Sequence, residues 1–227
     1  MDSREKTLRG HIASPISNLN PEHFSELYVA IEQIFSLAMP ILSKMTRPAL
    51  ILPGKLQAVI KAQTIFLKEH EEYEGVWHRD GKNEDIVAVI IYYYRVSEQL
   101  VGGDLEFMDK RSRKEEYWTM RDCDSEDFIS SSAKNFYEEI PHCRIPIKTG
   151  TLVVFSNYQF IHRVLRMYSS GPDKTSPDGF SSRDFLLFFV VDQKSKLITT
   201  NDLIPSENNY KSIKGKNIFK LVKDLNT

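Results

Sequence analysis

Apolar residues at Phe24, Leu27, Tyr28, Ile31, Ile34, Phe35 and Ala38 recur at the three-and-four spacing of a helix with one buried face. Asn20-Pro21-Glu22 supplies a capping residue followed by proline at the first helical position, and Pro40 is expected to end or kink the helix. Pro48 and Pro53-Gly54 mark a connection, after which the pattern changes. The segments Leu56 to Leu67, Ile86 to Val96, Asp104 to Met108, Thr151 to Phe155, Ile161 to Met167 and Phe185 to Val191 are short, alternating or wholly apolar, and rich in β-branched and aromatic residues. Strands in succession without intervening helices predict a mainly β sandwich or jelly roll rather than a βαβ fold.

Two polar stretches interrupt the strands. Asp109 to Arg144 is long for a plain connection and reads as a flap or a short helical insert, while Ser169 to Ser182 carries Gly171-Pro172 and Pro177-Asp178-Gly179. An amphipathic helix is expected near Ile218 to Leu225. The organisation is therefore an N-terminal helical extension over 1–55, a β core over 56–193 and a tail over 194–227, together one structural unit.

Composition narrows the function classes. Thirty Lys and Arg against thirty-one Asp and Glu leave a formal charge of −1 over 227 residues, so the molecule as a whole offers no electrostatic grip on nucleic acid. The N-terminus lacks the apolar centre of a signal peptide, and no run of about 18 apolar residues occurs. Cys123 and Cys143 have no CxxC spacing and are too few for a disulfide framework. A soluble intracellular protein, cytoplasmic or nuclear, is the expectation.

His78-Arg79-Asp80 places an imidazole and a carboxylate at i and i+2 just before the apolar run, on the same side of an extended chain. The spacing alone also describes a surface turn, and His70-Glu71-Glu72 repeats it in a charged setting that reads as solvent-exposed. A third imidazole, His162, begins a later strand; His142 is its nearby rival but precedes the Gly150 strand. Arg183 stands at the head of an otherwise apolar strand, where an inward cation demands an anion; pairing with Asp184 or Asp192 at the surface is the alternative. Arg163 neighbours His162 and should face away from it into a salt bridge. Trp77 is expected to pack beside the site, and the lysines of the tail form a solvated face.

Taken in order, His78-x-Asp80, Tyr92-Tyr93, Gly102-Gly103-x-Leu105, the strand Gly150 to Phe155, His162-Arg163-Val164 and Arg183 resemble the Fe(II)- and 2-oxoglutarate-dependent dioxygenases. The Tyr-Tyr and Gly-Gly-x-Leu elements look like the prolyl hydroxylase group. The run Gly75 to Tyr94 and the loop before Arg183 are also similar to a largely uncharacterised, mostly fungal family of the same superfamily, which more often carries Glu where this chain has Asp80. The resemblance covers roughly Leu56 to Val191.

It implies a double-stranded β-helix (jelly roll, cupin-like) with a flanking N-terminal helix and a short C-terminal one. It also implies His78, Asp80 and His162 as iron ligands, Arg183 as the grip on the distal carboxylate of 2-oxoglutarate, and Tyr92 as the phenol sharing that carboxylate, with Tyr94 as its substitute. The implied cofactors are Fe(II), 2-oxoglutarate and O2, with ascorbate as a candidate reductant. The implied chemistry is conversion of 2-oxoglutarate to succinate and CO2 coupled to hydroxylation, or to demethylation where the hydroxylated carbon is attached to nitrogen. Two rivals stand beside this: a cupin-like metalloprotein using zinc or manganese for hydrolysis or isomerisation, and a non-catalytic jelly-roll binding module. The polar segments 109–144 and 169–182 are the expected substrate-facing rim, with a protein side chain or small metabolite favoured over nucleic acid as partner. The sequence is silent on oligomeric state.

Overall fold

In the computed structural model, residues 8–109 and 142–198 are described, apart from 18, 47, 48, 82, 83 and 196. The run from Ile86 to Ile91 has no polar residue to alternate with because its strand is central: all six residues are buried. This strand, β3 (Ile86–Val96), follows β1 (Ala58–Leu67) and the short β2 (Glu72–Tyr73) in chain order. The remaining strands are β4 (Leu100–Gly102), β5 (Leu105–Asp109), β6 (His142–Ile145), β7 (Leu152–Ser156), β8 (Phe160–Val164), β9 (Met167–Ser169) and β10 (Ser181–Val191). They form three antiparallel sheets, ordered β1-β10-β3-β7, β6-β5-β8 and β2-β9-β4.

Alternation in the first sheet sends Val89, Ile91 and Tyr93 of β3, Phe185 and Leu187 of β10, and Val153 and Phe155 of β7 to one face. There they meet Leu105 and Phe107 of β5 in a single cluster. Burying each large apolar side chain of this cluster contributes about 1.5–3 kcal/mol. On the opposite face of the same sheet Phe188 packs against Phe35 of the helix α1 (Ser25–Leu42), with ring centroids 5.3 Å apart. Both faces of β10 are thus covered.

The helix begins later than its capping signal. Asn20 closes a turn of its own, its Oδ1 accepting from the Glu22 N–H at 2.8 Å and its carbonyl from the Phe24 N–H at 3.0 Å. Pro40 falls in the last turn, and the helix runs only two residues further, because proline has no N–H to continue the ladder. By length and mean hydropathy (1.2 over 18 residues) α1 is long and apolar enough to cross a membrane, yet Ala38, Met39 and Leu42 are buried within the protein.

Several boundaries differ from the pattern-based expectation. Ile161 to Met167 is two strands, β8 and β9, in different sheets. Strand β10 starts at Ser181 rather than Phe185, because its polar start is satisfied internally: Ser181 Oγ meets Ser169 Oγ at 2.8 Å, and Ser182 Oγ donates to Asp184 at 3.1 Å. The expected flap or helix beyond Asp109 and the C-terminal helix lie outside the described residues.

Among the described residues, the strands, α1 from residue 33 onward and residues 8–10 belong to one compact unit. The described residues among 11–32, with 197 and 198, belong to a second. Within it Tyr28 Oη accepts from the Ile16 N–H at 2.8 Å and donates to the Leu19 carbonyl at 2.7 Å, while Glu32 pairs with His11 at 2.8 Å.

Candidate metal centre

The chain entering the site runs alongside β8. Gly75 N–H donates to the Val164 carbonyl at 2.9 Å, and three residues later His78 exchanges both backbone hydrogen bonds with His162, each at 3.0 Å. Three steps on one side oppose two on the other, the signature of a β-bulge at Val76-Trp77, and such a bulge re-aims the side chain that follows. Gly75 permits the approach, since a Cβ there would sit 2.9 Å from the Val164 nitrogen. His78 and His162 are in consequence directly opposed, with ring centroids 4.3 Å apart.

Asp80, two residues on, completes the group. His78 Nε2 lies 4.0 Å from Asp80 Oδ1 and His162 Nε2 lies 3.6 Å from Asp80 Oδ2. One ligand atom from each of the three falls within 4.8 Å of the others. The Val76 carbonyl, 2.8 Å from His78 Nδ1, can only accept, so Nδ1 carries a proton and Nε2 is the nitrogen left for a metal ion.

His162 is buried between Phe107 and Phe155, with centroids 5.8 and 4.9 Å from its ring. Burial, reinforced by the neighbouring His78, holds its pKa down at about 3, so it is neutral and able to ligate across the physiological range. Burial raises the Asp80 carboxyl above the usual range, opposed by the charges of His78 and Lys61. Asp80 Oδ2 is buried with no hydrogen-bond partner among the described residues. An unsatisfied buried acceptor costs about 1–3 kcal/mol, more if charged, and a cation held between these three donors removes that cost. Two imidazoles and one carboxylate, leaving other positions free, is the donor set of the non-haem Fe(II) oxygenases.

Arg183 is the second unusual group. It is 1% exposed, and among the described residues it makes no ion pair. Its guanidinium donates instead to the Gly103 carbonyl at 2.6 Å and, more weakly, to that of Gly102 at 3.5 Å, leaving Nε unpartnered. Burial lowers its pKa, with Tyr93, Asp104 and Tyr73 acting the other way. The two glycines have φ of 79° and 77°, and a Cβ on Gly103 would collide with Arg183 Nη2 and with Met167, so glycine is required for the carbonyls to be presented.

The tyrosine expectation is corrected. Tyr93, 2% exposed, lies with Arg183, whose Cζ is 5.7 Å from its ring centroid. Tyr92, opposite Leu186, and Tyr94, half-exposed near Asp184, point to the other face. Burial, partly offset by Arg183 and added to by Tyr73, pushes the Tyr93 phenol up to about 12, so it stays a hydrogen-bond donor. Phe107 and Phe155, which flank His162, and Tyr93, which lies beside Arg183, belong to one apolar cluster.

Other residues fall away from this cluster. Arg163 binds the buried Glu106 through Nε and Nη2, both at 2.8 Å, and stacks on Trp77 at 4.8 Å. Arg144 adds a 3.1 Å bond to Glu106 and His142 lies 3.3 Å from it, so His142 stands on the outer face, away from the ligands. Burial alone would raise the Glu106 carboxyl, but the bonds from Arg163 and Arg144 outweigh it and lower the pKa. His70 is solvent-exposed, and Glu72 pairs with Arg166. Asn157, which the sequence places at a turn without giving it a role, is buried at 1%, and its side chain contacts the backbone of Asp80.

The family described as a protein of unknown function (DUF4246) matches residues 51–212, most of the chain, and the protein belongs to this family. No curated protein matches the sequence. Among solved structures, a BsmA homologue from Methylobium petroleophilum PM1 is similar at 13% identity and a TM-score of 0.42, over 79% of this chain and 56% of that one. A prolyl-4-hydroxylase from Pseudomonas putida is similar at 13% identity and a TM-score of 0.43, over 77% and 70%. An oxidoreductase of the 2OG-Fe(II) oxygenase family from Burkholderia pseudomallei is similar at 12% identity and a TM-score of 0.41, over 81% and 65%. The chain spans little more than half the length of the first of these.

Proposed function

We propose that this protein is an Fe(II)- and 2-oxoglutarate-dependent dioxygenase of double-stranded β-helix architecture that hydroxylates a C–H bond of its substrate, with 2-oxoglutarate converted to succinate and CO2. The observation that carries the reading is the combination of His78, Asp80 and His162 with a buried Arg183 that makes no ion pair among the described residues, His162 and Arg183 lying against one apolar cluster. A hydrolytic or isomerising cupin needs the three ligands but has no use for an isolated inward guanidinium. A binding module needs neither.

His78, Asp80 and His162 would hold Fe(II), which with 2-oxoglutarate supplies the activation of O2 for C–H oxidation. His78 presents Nε2 because Val76 holds Nδ1, and His162 presents its own without first losing a proton. Arg183 would receive the distal carboxylate of 2-oxoglutarate through charge-assisted hydrogen bonds, and Tyr93, beside it and still protonated, would donate to the same group. The aromatic cluster around His162 keeps water from the reacting face. A protein side chain or a small metabolite is the proposed class of substrate.

Succinate formation from 2-oxoglutarate by protein reconstituted with Fe(II) tests the reading. Turnover that requires iron and is lost in His162→Ala is expected; equal succinate formation by wild type and His162→Ala would sink it.

A further inference from the structure

Asp80 is the ligand with the least local support. The ladder between its segment and β8 ends at His78, and the chain then turns towards β3, with Gly81 at a φ of 62° and Asp85 at 48°. Among the described residues no strand partner lies beside Asp80 to pair its backbone. In its place stands the side chain of Asn157, at the turn between β7 and β8.

The contacts are reciprocal. Asn157 Oδ1 accepts from the Asp80 N–H at 3.1 Å, and Asn157 Nδ2 donates to the Asp80 carbonyl at 2.7 Å. The same Nδ2 donates to the Ile86 carbonyl at 3.0 Å, and the Asn157 backbone N–H donates to the Val87 carbonyl at 3.0 Å. A carboxamide has one acceptor and two donors in a plane, so it substitutes for the missing peptide of a neighbouring strand. It ties Asp80 and Ile86 to the segment that leads, five residues later, into His162.

We propose that Asn157 is a positioning residue for the metal centre: its carboxamide fixes Asp80 against β8, so that the carboxylate stands beside the two imidazoles before any ion arrives. The proposal rests on the metal-centre reading above. The His78–His162 backbone pair sets the separation of the two imidazoles, and Asn157 sets the third corner. Aspartate cannot replace it, because both Nδ2 donors become acceptors facing the carbonyls of Asp80 and Ile86. Glutamine carries the amide one methylene too far.

The test is Mn(II) binding, a redox-inert probe, measured by calorimetry on wild type and Asn157→Asp, with thermal unfolding of both metal-free proteins alongside. Loss of support behind a ligand typically weakens metal affinity about 10–100-fold, and that loss is expected in folded Asn157→Asp. A variant with a lowered Tm but a Mn(II) Kd within about threefold of wild type would show a structural asparagine and overturn the proposal. Should Asn157→Asp not fold, hydrogen exchange on metal-free wild type decides: the Asp80 amide is expected to be protected, and exchange as fast as in an open loop would overturn the clamp. Wild type that binds no Mn(II) removes the metal centre and the proposal together. Tight Mn(II) binding that weakens in Asn157→Asp, without succinate formation by the iron-loaded protein, would retain the clamp and remove only the oxygenase reading.

Discussion

Arg183 lies over the ring of Tyr93, its Cζ 5.7 Å from the centroid, while Tyr92 and Tyr94 stand on the opposite face of β3. A hydrogen bond to a charged group contributes about 1.5–3 kcal/mol, roughly a 10- to 150-fold change in affinity. Tyr93→Phe is therefore expected to raise the 2-oxoglutarate requirement towards the lower part of that range and Arg183→Ala to at least its upper part, with Mn(II) affinity nearly intact in both. Tyr92→Phe should leave the requirement unchanged. Steady-state succinate kinetics across the three variants checks the assignment.

Gly103→Ala probes the carbonyl cradle from the other side. A left-handed φ costs a non-glycine residue about 1–2 kcal/mol, and the added methyl also meets Arg183 Nη2 and Met167. A Tm several degrees below wild type and a raised 2-oxoglutarate KM are expected together. A lower Tm with an unchanged KM would mean that Gly103 does not help to set the position of Arg183.

His162 gives the metal-free protein a pH-dependent stability. Its pKa is depressed from 6.5 to about 3, so the unfolded chain takes up its proton first; the contribution is present above 6.5 and is lost as pH falls towards 3. The slope is at most about 1.4 kcal/mol per pH unit in that window. Asp80, whose folded pKa is raised, runs the other way: its contribution is present below its unfolded pKa and is lost as pH rises through the folded one. Glu106, with a lowered pKa, adds to the loss only at the acid end. Denaturant unfolding at pH 7 and pH 5 should show the metal-free protein weaker at pH 5, and His162→Asn should flatten the difference.

The Glu106 network predicts a stability effect without a chemical one. Among the described residues, Arg163→Met leaves the buried carboxylate with Arg144 and His142, and breaking a buried ion pair costs about 3–5 kcal/mol, nearer the lower figure where a cation remains. Thermal unfolding reads that loss. The Mn(II) affinity of the folded variant should match wild type, since Arg163 faces away from His162.

What could be read from the sequence follows the physics of each element. Strand β3 is bounded by turn residues and apolar throughout its first six positions, so its span, Ile86–Val96, emerges directly from the pattern. The same uniformity hid its parity: with Val87 and Ile90 as apolar as Val89 and Ile91, nothing local says which of Tyr92 and Tyr93 turns inward. Strands β2, β4 and β6 are two to four residues long and defined by their partners, not by composition. The ligand set was legible because His78 and Asp80 share a side of the chain by spacing. Asn157 was not, because a turn asparagine and a clamp are the same letter until the Asp80 backbone is seen beside it.

The most direct measurement is anaerobic addition of Fe(II) and then 2-oxoglutarate to the purified protein, watching for the weak visible charge-transfer absorption of chelated iron. A band that is absent in His162→Ala and needs far more 2-oxoglutarate in Arg183→Ala is the expected result. Iron bound by His78, Asp80 and His162 with no such band at saturating 2-oxoglutarate would contradict the proposed function.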